Sequence, residues 1–369
     1  MNKKLAVVIY KYFPFGGLEK DFLNIILKLQ ERGIDFKIFC GEWNGDIPKG
    51  LKIKKIESSG FTNHKKNHNF YHQFSNLMND YQPKLIFGFN KIPNLDVYFA
   101  GDHCYLHSSK GKNFLYKFTP RYKHFTFFEN EVFGKGKTKR ILLLNARQRN
   151  IFQKEYLTEE HRLEVVPPGL PASWYTEDNR MNLKEELNLH ISSKIILFVG
   201  SGPRKGLDRA IKALASLKLS NDSIYNLLVA GMDDPKPYIK LAKKLNLENE
   251  IIFLGPRNDI RRLMANADLL IHPAREEPAG NVIVEAMETC LPILVAGEVG
   301  YSRFVQENKA GLVTQVPFNQ EELNSKLKHL ISDKERKVYV RNLEEFSKKD
   351  YFKSRYSFVA DIVEEDLNA

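Results

Sequence analysis

Two series of short apolar runs, separated by polar or amphipathic stretches, divide this chain at Pro167-Pro168-Gly169. The first series is Leu5 to Tyr10, Phe36 to Cys40, Leu85 to Phe89, Ile141 to Asn145 and Leu163 to Val166. The second is Ile195 to Val199, Asn226 to Gly231, Ile251 to Gly255, Leu269 to His272 and Ile293 to Ala296. Runs that stay apolar without alternation belong to strands buried on both faces, the habit of parallel sheets. Helical patterns such as Leu18 to Arg32 and Leu207 to Leu217 supply the crossovers that such sheets require. The expected fold is therefore α/β with two Rossmann-like parallel-sheet domains, residues 1–168 and 169–350, facing a central cleft. The acidic, helical end, residues 351–369, is expected to fold back on the first domain. A length of 369 residues suits two such cores better than one.

Composition narrows the setting. The three cysteines, Cys40, Cys104 and Cys290, lack metal-site spacing and suit a reducing compartment. The opening Met-Asn-Lys-Lys and the apolar run after it suggest a signal peptide, but the run stops at Lys11 with no small-residue cleavage site, so it reads as a first buried strand. No stretch approaches the roughly 18 consecutive apolar residues of a spanning helix. The expectation is a cytoplasmic protein whose membrane contact, if any, is peripheral. The net charge of +11 lies in the first half: residues 1–165 hold 28 Lys and Arg against 16 Asp and Glu, and the remainder 28 against 29. Such asymmetry concentrates anionic partners. No nucleic-acid-binding motif accompanies it, so nucleic acid is not the expected partner.

Chemistry concentrates at the ends of the inferred strands. Glu277-Pro-Ala-Gly-Asn-Val-Ile-Val-Glu285 follows the run Leu269 to His272 and opens a helix near Ala279. Gly280 and the free N–H groups of the first turn, from Ala279 through Asn281 and Val282, form a donor-rich surface for a diphosphate or sugar oxygens. Glu277 lies before that turn and Glu285 about 9 Å along the axis, at roughly 1.5 Å per residue. One carboxylate is placed for a sugar and the other for a ribose; the plainer reading is a solvated helix face. Gly200-Ser-Gly-Pro-Arg-Lys-Gly206 is a second strand–turn–helix candidate, with Arg204 and Lys205 favouring charged phosphate. It differs from a dinucleotide fingerprint in its glycine spacing and in lacking the acidic partner about 20 residues on, since Asp222 falls in a polar loop. In the first domain, the glycine-rich Phe13-Pro-Phe-Gly-Gly17 precedes a helix carrying Asp21. Asp102 follows Val97-Tyr-Phe-Ala100 and could orient or deprotonate a hydroxyl, with His103 as a competitor. His272 ends its strand either as a ligand contact or as a buried, hydrogen-bonded core residue.

One segment, residues 105–133, interleaves cations with aromatics. Lys110, Lys112, Lys117, Arg121 and Lys123 alternate with Phe114, Tyr116, Phe118, Tyr122, Phe125, Phe127 and Phe128, and no acidic residue precedes Glu129. Such a surface can lie in an anionic leaflet; the alternative is a core-facing helix with solvated lysines.

The pair Glu277 and Glu285 together with Arg204-Lys205 resembles the retaining glycosyltransferases of the large GT-B family that includes sucrose and glycogen synthases. Tyr10-Lys-Tyr-Phe-Pro-Phe-Gly-Gly-Leu18, Gly88-Phe-Asn-Lys91, Leu95-Asp-Val-Tyr-Phe-Ala100, Phe114-Leu-Tyr116 and the segment from Gly311 resemble, within that family, the bacterial lipopolysaccharide core glucosyltransferases of type I. This resemblance runs over nearly the full chain. It implies transfer of glucose from UDP-glucose to an inner-core heptose. Gly17, Arg204, Lys205 and Arg257 would meet the diphosphate and uridine side, Glu277 the glucose hydroxyls and Glu285 the ribose. Asp21 and Asp102 match acidic positions near the acceptor. Lys112, Phe114, Lys117, Arg121, Tyr122 and Lys123 fall in the family's membrane-contacting segment, which places the protein on the cytoplasmic face of an anionic inner membrane. The segment after Pro167-Pro168-Gly169 is a residue shorter than the family's, and an arginine expected there is replaced around Ser173-Trp174. No Asp-x-Asp pair occurs, in keeping with the metal independence usual in this fold, and no cofactor is expected. A front-face reaction with retention is the expected mechanism. A 2-epimerase of the same fold, a transferase using another UDP-hexose, a nucleic-acid-binding protein and a non-catalytic membrane scaffold are the competing readings.

Overall fold

The computed structural model describes residues 4–14, 16–176, 182–200, 202–220, 223–231 and 234–369; Phe15, Ser201 and Asp222, singled out above, lie outside the described residues. The chain divides into two units. Unit 1 is Met1–Pro168 with Ser354–Ala369, and unit 2 is Gly169–Lys353.

In unit 1 seven strands form one parallel sheet: β1 (Leu5–Tyr12), β2 (Phe36–Trp43), β3 (Ile53–Lys55), β4 (Leu85–Gly88), β5 (Val97–Ala100), β6 (Arg140–Leu143) and β7 (Leu163–Val165), in the order β3-β2-β1-β4-β5-β6-β7. Leu5 of β1 sits in register with Phe36 of β2 on one side and Leu85 of β4 on the other. Residues 5–9 are wholly buried, as the unbroken apolar run requires of a central strand. The helix Gly17–Glu31 covers this sheet with Phe22, Ile25, Ile26 and Leu29, the three-and-four spacing of a single buried stripe.

Unit 2 repeats the plan with six parallel strands, β8 (Lys194–Val199), β9 (Tyr225–Ala230), β10 (Ile251–Gly255), β11 (Leu269–His272), β12 (Ile293–Val295) and β13 (Gly311–Val313), ordered β10-β9-β8-β11-β12-β13. Its helix Leu207–Lys218 buries Ala210, Ile211, Leu214 and Leu217 in the same core cluster as Phe198, Leu227 and Ile271. That helix starts after Gly206, whose φ is +77°; a Cβ there would lie 2.2 Å from the carbonyl oxygen of Pro273, so only glycine fits.

The last helix, Arg355–Asn368, belongs to unit 1 and packs against the helix Gly17–Glu31 and against β4. Arg355, wholly buried, donates to both carboxylate oxygens of Asp21 at 2.9 and 3.1 Å and to the carbonyl of Pro167 at 2.9 Å. Tyr356 Oη donates to the same carboxylate at 3.2 Å. Towards the helix's far end, Arg32 pairs with Asp361 and Glu364. Tyr351 and Phe352, read above as the start of this end segment, stay in unit 2: Phe352 is wholly buried and its carbonyl accepts from the Leu170 amide at 2.9 Å.

Candidate active site

The unit 2 site gathers at the C-terminal ends of β8 and β11, where open parallel sheets bind ligands. β11 ends in the wholly buried His272, whose Nε2 lies 2.6 Å from Oε2 of Glu277. The other carboxylate oxygen is paired with the Lys205 ammonium from the turn after β8. Glu277 is fixed through its backbone as well, since it bridges Val299 and its carbonyl accepts from the Gly300 amide at 3.0 Å. Burial by itself would raise the Glu277 pKa, but the Lys205 charge and the His272 hydrogen bond outweigh it and hold the carboxyl far below its ordinary range. Burial, the larger influence on the imidazole, depresses the His272 pKa against the opposing pull of the Glu277 carboxylate. The result is a desolvated, ionised carboxylate in one fixed direction, and His272 is its positioning partner.

The helix after Glu277 runs Asn281–Glu288, so it opens two residues later than Ala279. Gly280 is its N-cap at φ +98°, and a Cβ there would lie 2.8 Å from Val299 Cγ1. This left-handed turn has no side-chain cap, and the Ile283 amide donates to the Gly280 carbonyl at 2.8 Å. Glu285 is half-buried on this helix and its charge acts on Lys205. Ala279 and Val282 are buried and Asn281 half-buried around the same turn.

Arg204 is exposed, and its guanidinium has no hydrogen-bond or ion-pair partner among the described residues, although its charge is felt at both Lys205 and His272. Arg275, which sequence reasoning passed over, ties the two loops together. It forms a two-pronged pair with Asp208 at 2.8 and 2.9 Å, donates to the Pro203 carbonyl at 2.8 Å, and its amide bonds the Arg204 carbonyl at 2.9 Å. Arg257 departs from expectation: it forms a two-pronged pair with Asp259 at 2.6 and 2.7 Å, so its guanidinium is committed within the protein. Trp174, where the resemblance expected an arginine, is buried at 6 % exposure.

Beside the Gly200 turn lies a pocket of about 260 Å³ lined by Leu207, Gly231, Pro235, Tyr238, Phe253 and Pro256 among others, at the ends of β8, β9 and β10. It is apolar and flanked by glycines, which suits a flat ring system.

In unit 1 the sequence-derived acids separate. Asp21, 2 % exposed, is consumed by Arg355 and Tyr356 and holds the terminal helix, which corrects its assignment as a catalytic group. Asp102 is exposed, and its carboxylate has no hydrogen-bond or ion-pair partner among the described residues. Gly17 begins its helix with nothing within 4 Å of an added Cβ, so internal packing does not demand glycine there. The residue that sequence reasoning missed is Glu19. It stands in the first helical turn with its carboxylate folded over Gly16, and Leu18 beside it packs on Gly101. Burial first, then the Asp102 charge, push its pKa up to about 7. A carboxyl protonated to about pH 7 when folded, against 4.5 when free, binds more protons in the folded state between those values. Stability should therefore fall as pH rises through that window and level off above it. Glu19→Gln should flatten that slope in denaturant midpoints measured against pH.

A mainly parallel two-unit α/β chain carrying this glutamate–lysine–arginine cluster defines a glycosyltransferase of the GT-B class. Residues 179–346 match the family model for Glycosyl transferases group 1. The lipopolysaccharide glucosyltransferase WaaG of Escherichia coli K12 is 38 % identical over 334 residues, 89 % of each chain. A crystal structure of WaaG, described as a glycosyltransferase involved in lipopolysaccharide biosynthesis, superposes with a TM-score of 0.92 at 36 % identity, covering 97 % of this chain and 99 % of that one. The chain belongs to this family of glycosyltransferases. Sucrose-phosphate synthase of Thermosynechococcus elongatus, at 15 % identity and a TM-score of 0.78 over 98 % of each chain, shares the fold alone.

Proposed function

We propose that this protein is a retaining hexosyltransferase that moves glucose from UDP-glucose to an inner-core heptose of lipopolysaccharide. The observation that carries the reading is the ionised Glu277 carboxylate, held by Lys205 and His272 beside the unpartnered Arg204 guanidinium. In this reading Glu277 accepts hydrogen bonds from sugar hydroxyls, and Arg204, Lys205 and the first-turn amides after Gly280 receive the diphosphate. They neutralise the charge that grows on the leaving UDP, which is electrostatic stabilisation by groups already in place. The pocket by Tyr238 and Phe253 takes the uracil ring, and Glu285 the ribose. Asp102 orients the acceptor hydroxyl. Likeness to the Escherichia coli lipopolysaccharide glucosyltransferase supports both the donor and the acceptor class.

No divalent ion is needed in this scheme, because side chains supply the cationic charge. The test is UDP release from UDP-glucose and UDP-galactose, with and without heptose-terminated lipopolysaccharide, in the presence of EDTA. Acceptor-dependent release from UDP-glucose is expected. Release without acceptor at the same rate would refute transfer to heptose.

The acceptor is a lipid, and the segment 105–133 is built to meet its surface. Phe114, Leu115 and Phe118 are 66, 69 and 60 % exposed, with Lys112, Lys117, Arg121 and Lys123 exposed around them and Tyr122 half-buried. Pro120 starts the helix Pro120–Phe133, with the Thr119 hydroxyl accepting from the Tyr122 amide. Among the described residues no helix is long and apolar enough to cross a membrane, so we infer a peripheral contact on an anionic leaflet. At on the order of 1 kcal/mol per cation, neutralising Lys117, Arg121 and Lys123 should weaken binding to phosphatidylglycerol vesicles by about a hundredfold. Unchanged co-sedimentation would remove the membrane from the scheme.

A further inference from the structure

We propose that the buried Lys91–Glu129 pair is a positioning device for Asp102, fixing the loop that presents this carboxylate to the acceptor hydroxyl. The inference rests on the transferase reading above and goes beyond it to residues that touch no substrate. The loop after β5 is gripped at nearly every residue by a side chain from elsewhere in unit 1. Gln148 Nε2 donates to the carbonyls of Ala100 at 2.8 Å and Asp102 at 3.0 Å. Lys91 Nζ donates to the carbonyl of His103. Glu129, whose side chain has no exposure, accepts from the amides of Tyr105 at 2.8 Å and Leu106 at 2.9 Å. Gly101 lies against Leu18, where a Cβ would come within 2.4 Å of Leu18 Cδ1.

The anchors are themselves locked. Glu129 pairs with Lys91 at 2.6 Å and accepts from Tyr156 Oη at 2.6 Å. Gln148 accepts from the Leu144 amide at 2.9 Å, and its own amide donates to Asn145 Oδ1 at 2.9 Å. Against this background the Asp102 carboxylate is exposed and has no partner among the described residues. A buried ion pair is a poor way to gain stability, since apolar packing does as well or better. What it adds is direction, because hydrogen bonds to successive main-chain groups fix where the residue between them points. A reacting group misplaced by about 1 Å loses on the order of a hundredfold in rate, which is reason enough to retain two buried charges under one loop.

The experiment compares Glu129→Gln, Tyr156→Phe, Asp102→Asn and the Asp102→Asn/Glu129→Gln double variant in acceptor-dependent UDP release, acceptor-free UDP release to water, and amide hydrogen exchange. Glu129→Gln should lower acceptor-dependent transfer about tenfold to a hundredfold, leave release to water within about twofold, and speed exchange in residues 101–106 but not in unit 2. The double variant should be no slower than Asp102→Asn alone, because Glu129 acts through Asp102. Tyr156→Phe, which removes one donor and keeps the pair, should move transfer and exchange the same way by less, and serves if Glu129→Gln fails to fold. Parallel loss of transfer and release to water, multiplicative loss in the double variant, or unchanged exchange would each overturn the proposal. If the wild-type protein moves no sugar to heptose, the transferase reading has failed, and the exchange data show separately whether the pair holds the loop.

Discussion

Glu277→Gln should reduce glucosyl transfer by about a hundredfold to a thousandfold, because it weakens the hold on the sugar hydroxyls and releases Lys205, one of the cations that meet the charge developing on the leaving UDP. The substitution keeps the shape of the side chain and removes its charge. Lys205, with its side chain 12 % exposed, then sits beside Arg204 without its hydrogen-bonded counter-ion, and one of the two oxygens that meet Lys205 and His272 becomes an NH2 group. Breaking a buried pair from one side costs about 3–5 kcal/mol, so the variant should also unfold earlier in denaturant. The two effects are separable, since turnover is normalised to folded protein. A variant that unfolds earlier but keeps full turnover would show that Glu277 only holds Lys205 in place.

Asp21→Asn should cost stability without costing turnover. The expected loss is again about 3–5 kcal/mol of unit 1 stability, because Arg355 is wholly buried and would face a neutral amide. Turnover per folded molecule should be unchanged. A fully stable variant with lost turnover would return Asp21 to the catalytic group from which its burial removes it. The comparison is direct, as both substitutions turn a buried carboxylate into an amide and only one of them lies in the proposed donor site.

The reason Asp21 misleads in the sequence is instructive. Its local signals, an acid in the first helix after a glycine-rich loop, are those of a ligand-facing residue, and its partner Arg355 lies 334 positions away. No local pattern reports such a contact. Glu19, two residues earlier, shows the reverse. It looks like an ordinary first-turn acid complementing the helix dipole, and only the packing of Leu18 on Gly101 brings it near Asp102. The unbroken apolar runs of β1, β8 and β11 were legible because central parallel strands bury both faces. The three-residue edge strands Ile53–Lys55 and Gly311–Val313 were not, since half-exposed edges carry little apolar signal. In unit 2 the motif Glu277 to Glu285 marks the site and His272 lies five residues before Glu277, but the Lys205 contact that helps to ionise and aim Glu277 depends on β8 lying beside β11, a neighbourhood set by strand order.

Unit 1 is completed by a helix that the ribosome makes after all of unit 2, which imposes an order on synthesis. Unit 2, continuous from Gly169 to Lys353, has every strand of its sheet once residue 353 has emerged. Unit 1 at that moment has its seven strands but an uncovered stripe where Val359, Ile362 and Val363 are to lie, and an Asp21 carboxylate still waiting for Arg355. The nascent first unit is thus left with an open apolar stripe after unit 2 is complete, and a stop codon before Arg355 would spare unit 2 while leaving unit 1 open.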